Sequence, residues 1–480
     1  MPRRTEKNGS DVQLPQITGG LFYQYLACPH WPYFDLYGDP AKKRRGNRFS
    51  ELLLEMGVLQ EGKFLAALGP VTEVTAKGPK ARTDATLKLM REGADLIHGG
   101  RIEAGDLAGE PSLLEKRTDG SSDFGAYYYM PIQIKSAERL TDAHRCQLSL
   151  YGEILAEVQG TAPDEACIWN GSGARLCFAL HEFEEDFHRL LDEIRAVLQG
   201  RMPPPQLTSG CKQSPWFGEC KALAEAADDI ALLYNVKKKS LQALRDRGIR
   251  TLADVRAMKP EDLPGGSKYL TDDLLDRIKL QAESLHDRKH FVRRPFALPQ
   301  AETEIFFDIE GDPLRQVEYL FGFLVRDRNG ERYEYQLAER PEDERHLWRE
   351  FLDWIARLDG DYVVYHYGTY ETARLDLLAA RYGGSPALDA FRAAMVDLNE
   401  TVKESLVFPL YFYGLKDIGG YIGFERSKQI SGGGESVAFY EDWLAKGDRR
   451  KLDAVLDYNR DDVVATRCLK DWLVGVGERV

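Results

Sequence analysis

The chain has 480 residues, a formal net charge of −13, 43% hydrophobic and 29% charged residues; at roughly 100–200 residues per domain it should form two to four domains of ordinary soluble composition. No run of about 18 apolar residues occurs, and no apolar stretch follows the charges of MPRRTEKNGSD, so neither a membrane span nor a secretory signal is expected and a cytoplasmic location is. The acidic balance excludes nucleic-acid binding through a broad positive field and confines it to local patches.

Three patches qualify: Lys42–Arg45, Lys237–Lys239 and Arg288–Arg294. Each reads equally as a solvated face or linker. The seven cysteines, Cys28, Cys146, Cys167, Cys177, Cys211, Cys220 and Cys468, are odd in number and widely spread. That argues against a disulfide framework and for small buried apolar residues.

In chain order, residues 1–14 read as a tail and 15–205 as a first domain of mixed helix and strand. Within it, Tyr127–Ile134 is rich in β-formers and ends at Lys135. A helix follows, with Gln147 and Tyr151 one turn apart on one face. Met202–Gly210 is a proline-rich break. Residues 206–290 hold a cysteine loop and a helical region, in which Val236–Leu263 shows two short helical patterns split by Gly248. Such a hairpin can offer backbone N–H groups to a phosphate, helped by Lys237, Lys238 and Lys239, or can simply pack its neighbours. Residues 291–301 read as a linker.

The last domain, 302–480, begins with strands at Glu304–Glu310, Tyr319–Arg326 and Arg332–Leu337, the last two joined by the turn signal Asn329-Gly330. Pro341 opens an amphipathic helix to about Leu358; a strand at Tyr362–His366, a helix from about Glu371 and a final helix over Lys451–Leu473 follow. The pattern predicts an α/β fold, a mixed sheet flanked by helices.

Strand alternation puts Phe306, Asp308 and Glu310 on one face. Two like charges side by side among Phe and Ile repel, and a hard cation such as Mg²⁺ reverses that sign. In the final helix Val455, Tyr458, Asp462, Ala465, Leu469 and Trp472 form one stripe, apolar except for Tyr458 and Asp462. Asp461 lies about 100° around and should face solvent. The bland account is that Asp308 and Glu310 end a strand and Asp462 pairs with a basic residue. Taken together, the three acids point to a shared divalent metal, with Tyr458 one turn before Asp462 placed to share the site.

Asp-x-Glu on a first strand, a central acidic motif and Tyr458-Asn459-Arg460-Asp461-Asp462 on a last helix resemble the DnaQ-like DEDD exonucleases of the RNase H fold. The second motif departs: His366-Tyr367-Gly368-Thr369-Tyr370-Glu371 offers Glu371 where that group usually has Asp, with Asp376 as the fallback. The resemblance implies two Mg²⁺ or Mn²⁺ ions held by Asp308, Glu310, Glu371 and Asp462, Tyr458 positioning water, His366 near the nucleic acid, and 3′-to-5′ removal of nucleotides from a single-stranded end of DNA or RNA.

Lys135 with Gln147-x3-Tyr151, Tyr25-Leu26-Ala27-Cys28-Pro29 and Gly109–Glu115 resemble RecB-type nucleases of the PD-(D/E)xK, restriction-endonuclease-like fold. Ser112 and Gln133 stand where those have metal-binding acids, so this domain is expected to bind nucleic acid through Lys135, Gln147 and Tyr151 without cutting, unless Glu110 or Glu115 substitutes. Some members hold an iron–sulfur cluster; Cys28, Cys211 and Cys220 match three ligands as vestiges. Ser214 replaces the fourth, and no cluster is expected. The whole order resembles a bacterial family of RecB-like nucleases carrying an RNase H-like, DEDD-type exonuclease domain. The competing reading is a non-catalytic nucleic-acid-binding or scaffold subunit with decayed sites.

Overall fold

The computed structural model describes residues 14–478 apart from 47, 136, 138, 171–172, 260–267, 428 and 431. The expected tail, up to residue 13, and the end of the helical hairpin beyond 259 lie outside the described residues. Two units are distinguished: Met1–Arg45 with Leu54–Ala222, and Gly46–Leu53 with Leu223–Val480.

The first unit carries strands β1 (Thr72–Glu73), β2 (Leu96–His98), β3 (Ile102–Ala104), β4 (Leu107–Gly109), β5 (Leu113–Arg117), β6 (Tyr128–Ile134), β7 (Glu165–Trp169) and β8 (Arg175–Ala179). β3 and β4 form a ribbon; the rest make a six-stranded mixed sheet in the order β1-β2-β5-β6-β7-β8. β6, predicted from its β-formers, is central and buries Tyr129, Met130, Ile132 and Ile134. The helix Asp142–Gln159 starts at Thr141, whose side chain accepts from the His144 amide, and ends at Gly160 in the left-handed region. Its Leu148, Tyr151, Ile154 and Leu155 pack with Phe187, Leu191 and Ile194 of the helix Glu184–Leu198. Leu113, Met130, Ile132, Ile134 and Cys167 instead pack with Phe64 and Leu65.

One expectation is corrected here. Cys167 and Cys177 form a disulfide. They are direct partners across the antiparallel β7–β8 pair, with Cα atoms 4.1 Å apart. Strand register, which cysteine spacing does not reveal, brings them together.

In the second unit the helices Lys238–Arg245 and Leu252–Ala257 flank Gly248, whose φ of +80° makes the turn between them. Thr251 caps the second by accepting from the Asp254 amide. The helix Asp272–Asp287 follows. Within the expected linker, β9 (Phe291–Val292) pairs with β15 (Leu406–Val407).

The remaining strands are β10 (Thr303–Asp312), β11 (Val317–Asp327), β12 (Gly330–Leu337), β13 (Tyr362–His366) and β14 (Met395–Asp397). They form one sheet, β12-β11-β10-β13-β14, antiparallel from β12 to β10 and parallel from β10 to β14. The Asn329-Gly330 turn joins β11 to β12 as predicted, with Gly330 at φ +112°. β14 had no forecast; three residues are too short for periodicity to show. Both faces of β10 are buried. Ile305, Phe307 and Ile309 pack with Leu347, Phe351 and Ile355 of the helix Glu344–Ile355. Phe307 stacks on Phe323 at 5.2 Å, and its truncation to Ala would cost about 3–5 kcal/mol. Phe306, on the opposite face, shares a cluster with Val463, Leu469 and Leu473 of the 29-residue terminal helix Arg449–Gly477. That helix thus crosses the face of β10 that carries the acids.

Candidate metal centre

The carboxylate oxygens of Asp308, Glu310 and Asp462 lie within 4.8 Å of one another. β10 supplies the first two from one face by strand alternation; the terminal helix brings the third. Asp462 is buried in the predicted stripe with Val455, Ala465 and Leu469. Glu310 is 7% exposed and accepts from Ser436 Oγ at 3.0 Å, which is itself 3.1 Å from the Tyr319 hydroxyl. Burial, then the neighbouring Asp462 and Glu310 charges, push the Asp308 carboxyl well above its ordinary range. Glu310 is raised likewise by burial and Asp462. Three carboxylates so placed cannot all be ionised without a counter-cation, and hard oxygen donors at this spacing suit a divalent metal.

Arg426 supplies one positive charge. Its Nη2 lies 2.6 Å from Asp462 Oδ1, both side chains being 12% exposed. The bland account of Asp462 is therefore half met: it does pair with a base. Arg426 does not compensate three acids by itself, and burial still raises Asp462 although Arg426, and after it Lys416, lower it.

Asp308 is oriented from outside the triad. Asn459 Nδ2 donates to Asp308 Oδ2 at 2.7 Å, and Asn459 Oδ1 accepts from the Tyr333 hydroxyl at 2.8 Å. Asp308 pairs across the sheet with Gly322, where any Cβ would overlap Asn459 Oδ1. Tyr458 is half-buried beside the acids, and burial followed by Asp462 and Glu310 raises its hydroxyl far above the ordinary value, so it stays protonated.

Glu371 is buried and close enough to raise both Asp308 and Glu310, yet it lies outside the tight group of three. Its Oε2 is 3.5 Å from His366 Nδ1, and neither atom makes a hydrogen bond. His366, expected near the nucleic acid, is 3% exposed and faces Glu371. Asp376 is exposed and paired with Arg392 at 2.9 Å, which removes it as a ligand. Asp461, expected in solvent, is half-buried and accepts from the Ser427 amide at 2.7 Å, tying down the loop that carries Arg426.

In the first unit Gln133 Nε2 donates to Ser112 Oγ at 3.0 Å. The two neutral residues thus meet where the resemblance expects acids. Glu110 is paired with Arg101 and Arg82 at 3.0 Å each, and Glu115 with Arg175 at 2.6 Å. Tyr151, expected as a nucleic-acid contact, is packed inward. It is 2% exposed, packs over Gly109, accepts from Gln147 Nε2 at 2.7 Å and donates to the Glu110 carbonyl at 3.3 Å. Gln147 is half-buried and Lys135 exposed, as are Lys237, Lys238 and Lys239 in the second unit.

Cys28 Sγ and Cys220 Sγ are 3.4 Å apart, and Cys211 bonds to the Gln206 carbonyl at 3.2 Å. The Cys211 bond lowers the Cys28 thiol, but the Cys220 contact and burial outweigh it and hold it at about 12. Ser214 is buried and its Oγ accepts from the Trp216 amide at 3.1 Å. The only other group of candidate ligands among the described residues is Glu165 with Cys167 and Cys177, whose sulfurs are already joined.

Sequence reasoning missed Asn459, Arg426 and Ser436. Asn459 sits inside the quoted Tyr458–Asp462 motif and was within reach; the other two carried no signal. Among the described residues no helix is long and apolar enough to cross a membrane. A comparison with curated proteins finds no match. Residues 305–474 match the RNase H superfamily, and an RNase H-like nuclease domain with an acidic triad suited to a divalent cation spans them.

Proposed function

We propose that this domain is a 3′–5′ exonuclease that hydrolyses phosphodiester bonds in DNA or RNA. The observation that carries the reading is the buried triad with Tyr458 one turn before Asp462. Mg²⁺ or Mn²⁺ bound there, as a pair of ions, would polarise the scissile phosphate and make water a competent nucleophile near neutral pH. Asp308, Glu310 and Asp462 would hold the metal, and Glu371 would add its charge to the acidic site. Tyr458, kept protonated, donates to the attacking water and orients it. Asn459 holds Asp308 in the ligand rotamer. Chain-end polarity and the preference for a single strand come from the resemblance to DEDD enzymes.

The first unit is read as a RecB-like domain that binds substrate without cutting. The Ser112–Gln133 hydrogen bond favours this, since neither side chain supplies the negative charge a Mg²⁺ site needs. The test uses single-stranded DNA and RNA labelled at the 3′ or the 5′ end, with Mg²⁺, Mn²⁺ or EDTA. Immediate release of the 3′ label as mononucleotide, with a shortening 5′-labelled ladder, supports the reading. Internal cuts or 5′ release overturn the polarity, and no metal-dependent product in any arm favours the non-catalytic subunit.

A further inference from the structure

The second unit holds a cavity of about 260 Å³, below the roughly 300–1,000 Å³ of drug-sized pockets, lined by Arg277, Arg293, Arg294, Lys403, Tyr234 and Tyr413. From it, and resting on the nuclease reading, we infer that the cavity binds a backbone phosphate of the nucleic-acid strand.

Four cations converge here from separate stretches of chain: Arg277 from the helix Asp272–Asp287, Arg293 and Arg294 just after β9, and Lys403 from the helix Leu398–Ser405. Asp273 and Glu404 oppose them on the same rim, and the site remains net positive. Arg293 and Arg294 both bond Asp273 Oδ1, the latter at 2.6 Å, so that one carboxylate is shared between two guanidiniums. Arg277 is bound only by neutral groups among the described residues: it donates to the carbonyls of Tyr234 at 2.7 Å and Asn235 at 3.2 Å. Asn235 adopts a left-handed φ of 55° at that contact. A half-buried guanidinium held by carbonyls is oriented but not neutralised, and an incoming anion would complete it. Burial lowers Arg277 from its usual value; Tyr413 and Asp273 oppose the effect and Arg293 adds to it.

One wall is aromatic. Tyr234 and Tyr413 stack at 3.9 Å with their planes 12° apart. The Tyr413 carbonyl accepts from the Tyr367 hydroxyl at 2.5 Å, and Tyr367 follows His366, which faces Glu371. Tyr413, on the cavity wall, is thus joined through Tyr367 and the backbone to His366 beside Glu371. The cavity also absorbs part of the basic run Arg288–Arg294, which the metal centre leaves unused. Phosphate contacts position a strand and carry no sequence information.

The test is fluorescence anisotropy of labelled oligo(dT) on the full chain in EDTA, across a salt series. Arg294→Gln with Lys403→Gln, both exposed positions, should weaken binding about tenfold and flatten the log–log salt slope by about 1.4, at about 0.7 per contact on a single strand. Asp273→Asn, which releases the shared carboxylate, should tighten binding; a misfolded variant would not. An unchanged affinity and slope in the double variant, or weaker binding by Asp273→Asn, overturns the inference. Inorganic phosphate that displaces the oligonucleotide at equal concentration would make this a free-phosphate site and overturn the strand reading. Cleavage plays no part in this readout, so its failure is separate from failure of the nuclease assay.

Discussion

Asn459 reaches across from the terminal helix to Asp308, its Nδ2 2.7 Å from Asp308 Oδ2. The helix and the strand are thereby coupled at the first metal ligand. A carboxylate held by a second group presents one rotamer to the metal, and loss of such a partner typically costs about 10–100-fold in metal affinity or activity. Asn459→Ala should show a loss of that size with its fold retained. Gly322→Ala places a methyl group where Asn459 Oδ1 sits and should reproduce it. The double variant should be little worse than either single one, because both act through one contact. Additive losses in Mn²⁺ titrations of the three proteins would show that the two residues act separately.

The three acids were legible because each breaks a strong period: Asp308 and Glu310 in an apolar strand, Asp462 in an apolar helical stripe. Asn459, although inside the Tyr458–Asp462 motif, lies off that stripe, which selects one face of the helix. The site takes residues from two adjacent directions where the helix crosses β10. Arg426 and Ser436 come from segments without useful periodicity, and only the tertiary fold brings them in. Tyr151 lies inward for a different reason. Its helical face reads as half-exposed, but the missing side chain of Gly109 lets the ring pack inward. Four strands of the last domain were readable because turn and alternation signals agreed, whereas the three-residue β14 left no mark and the order in the sheet came only with the fold.

The acid cluster makes metal-free stability depend on pH in an unusual direction. Asp308, Glu310, Asp462 and Glu371 all have folded-state values raised chiefly by burial. The folded protein therefore holds more protons than the unfolded chain. Stability is present in full below the unfolded carboxylate value of about 4, and is lost as pH rises toward the raised values. Thermal melts in EDTA should show Tm climbing as pH falls from 8 toward 5, with Mg²⁺ flattening the trend. Asp308→Asn should raise the EDTA Tm at pH 8, because a neutral amide removes a buried charge that repels Asp462 and Glu310. A Tm in EDTA that rises with pH over this range would contradict the reading.

Arg426 competes with a metal for Asp462. Removing it as Arg426→Ala deletes a positive charge at the triad, so divalent affinity should rise several-fold while metal-free stability falls by about 3–5 kcal/mol. Calorimetric Mn²⁺ titration and melts in EDTA read the two effects. Weaker Mn²⁺ binding would show instead that Arg426 supports the metal-bound state.

Lys135 is exposed and stands two positions after Gln133 of the neutral Ser112–Gln133 pair. On the non-cutting reading of the first unit, Lys135→Ala should raise KM a few-fold and spare kcat. Loss of kcat in steady-state cleavage would mean that this unit cuts after all.

The most direct measurement sets the unaltered protein beside Asp308→Ala on end-labelled oligonucleotides in Mn²⁺ and in EDTA. The account predicts cleavage by the unaltered protein in Mn²⁺ only, and a loss of at least about 10³-fold in the variant, the scale of removing an essential electrostatic group. Full activity in Asp308→Ala, or equal cleavage in EDTA, would contradict it.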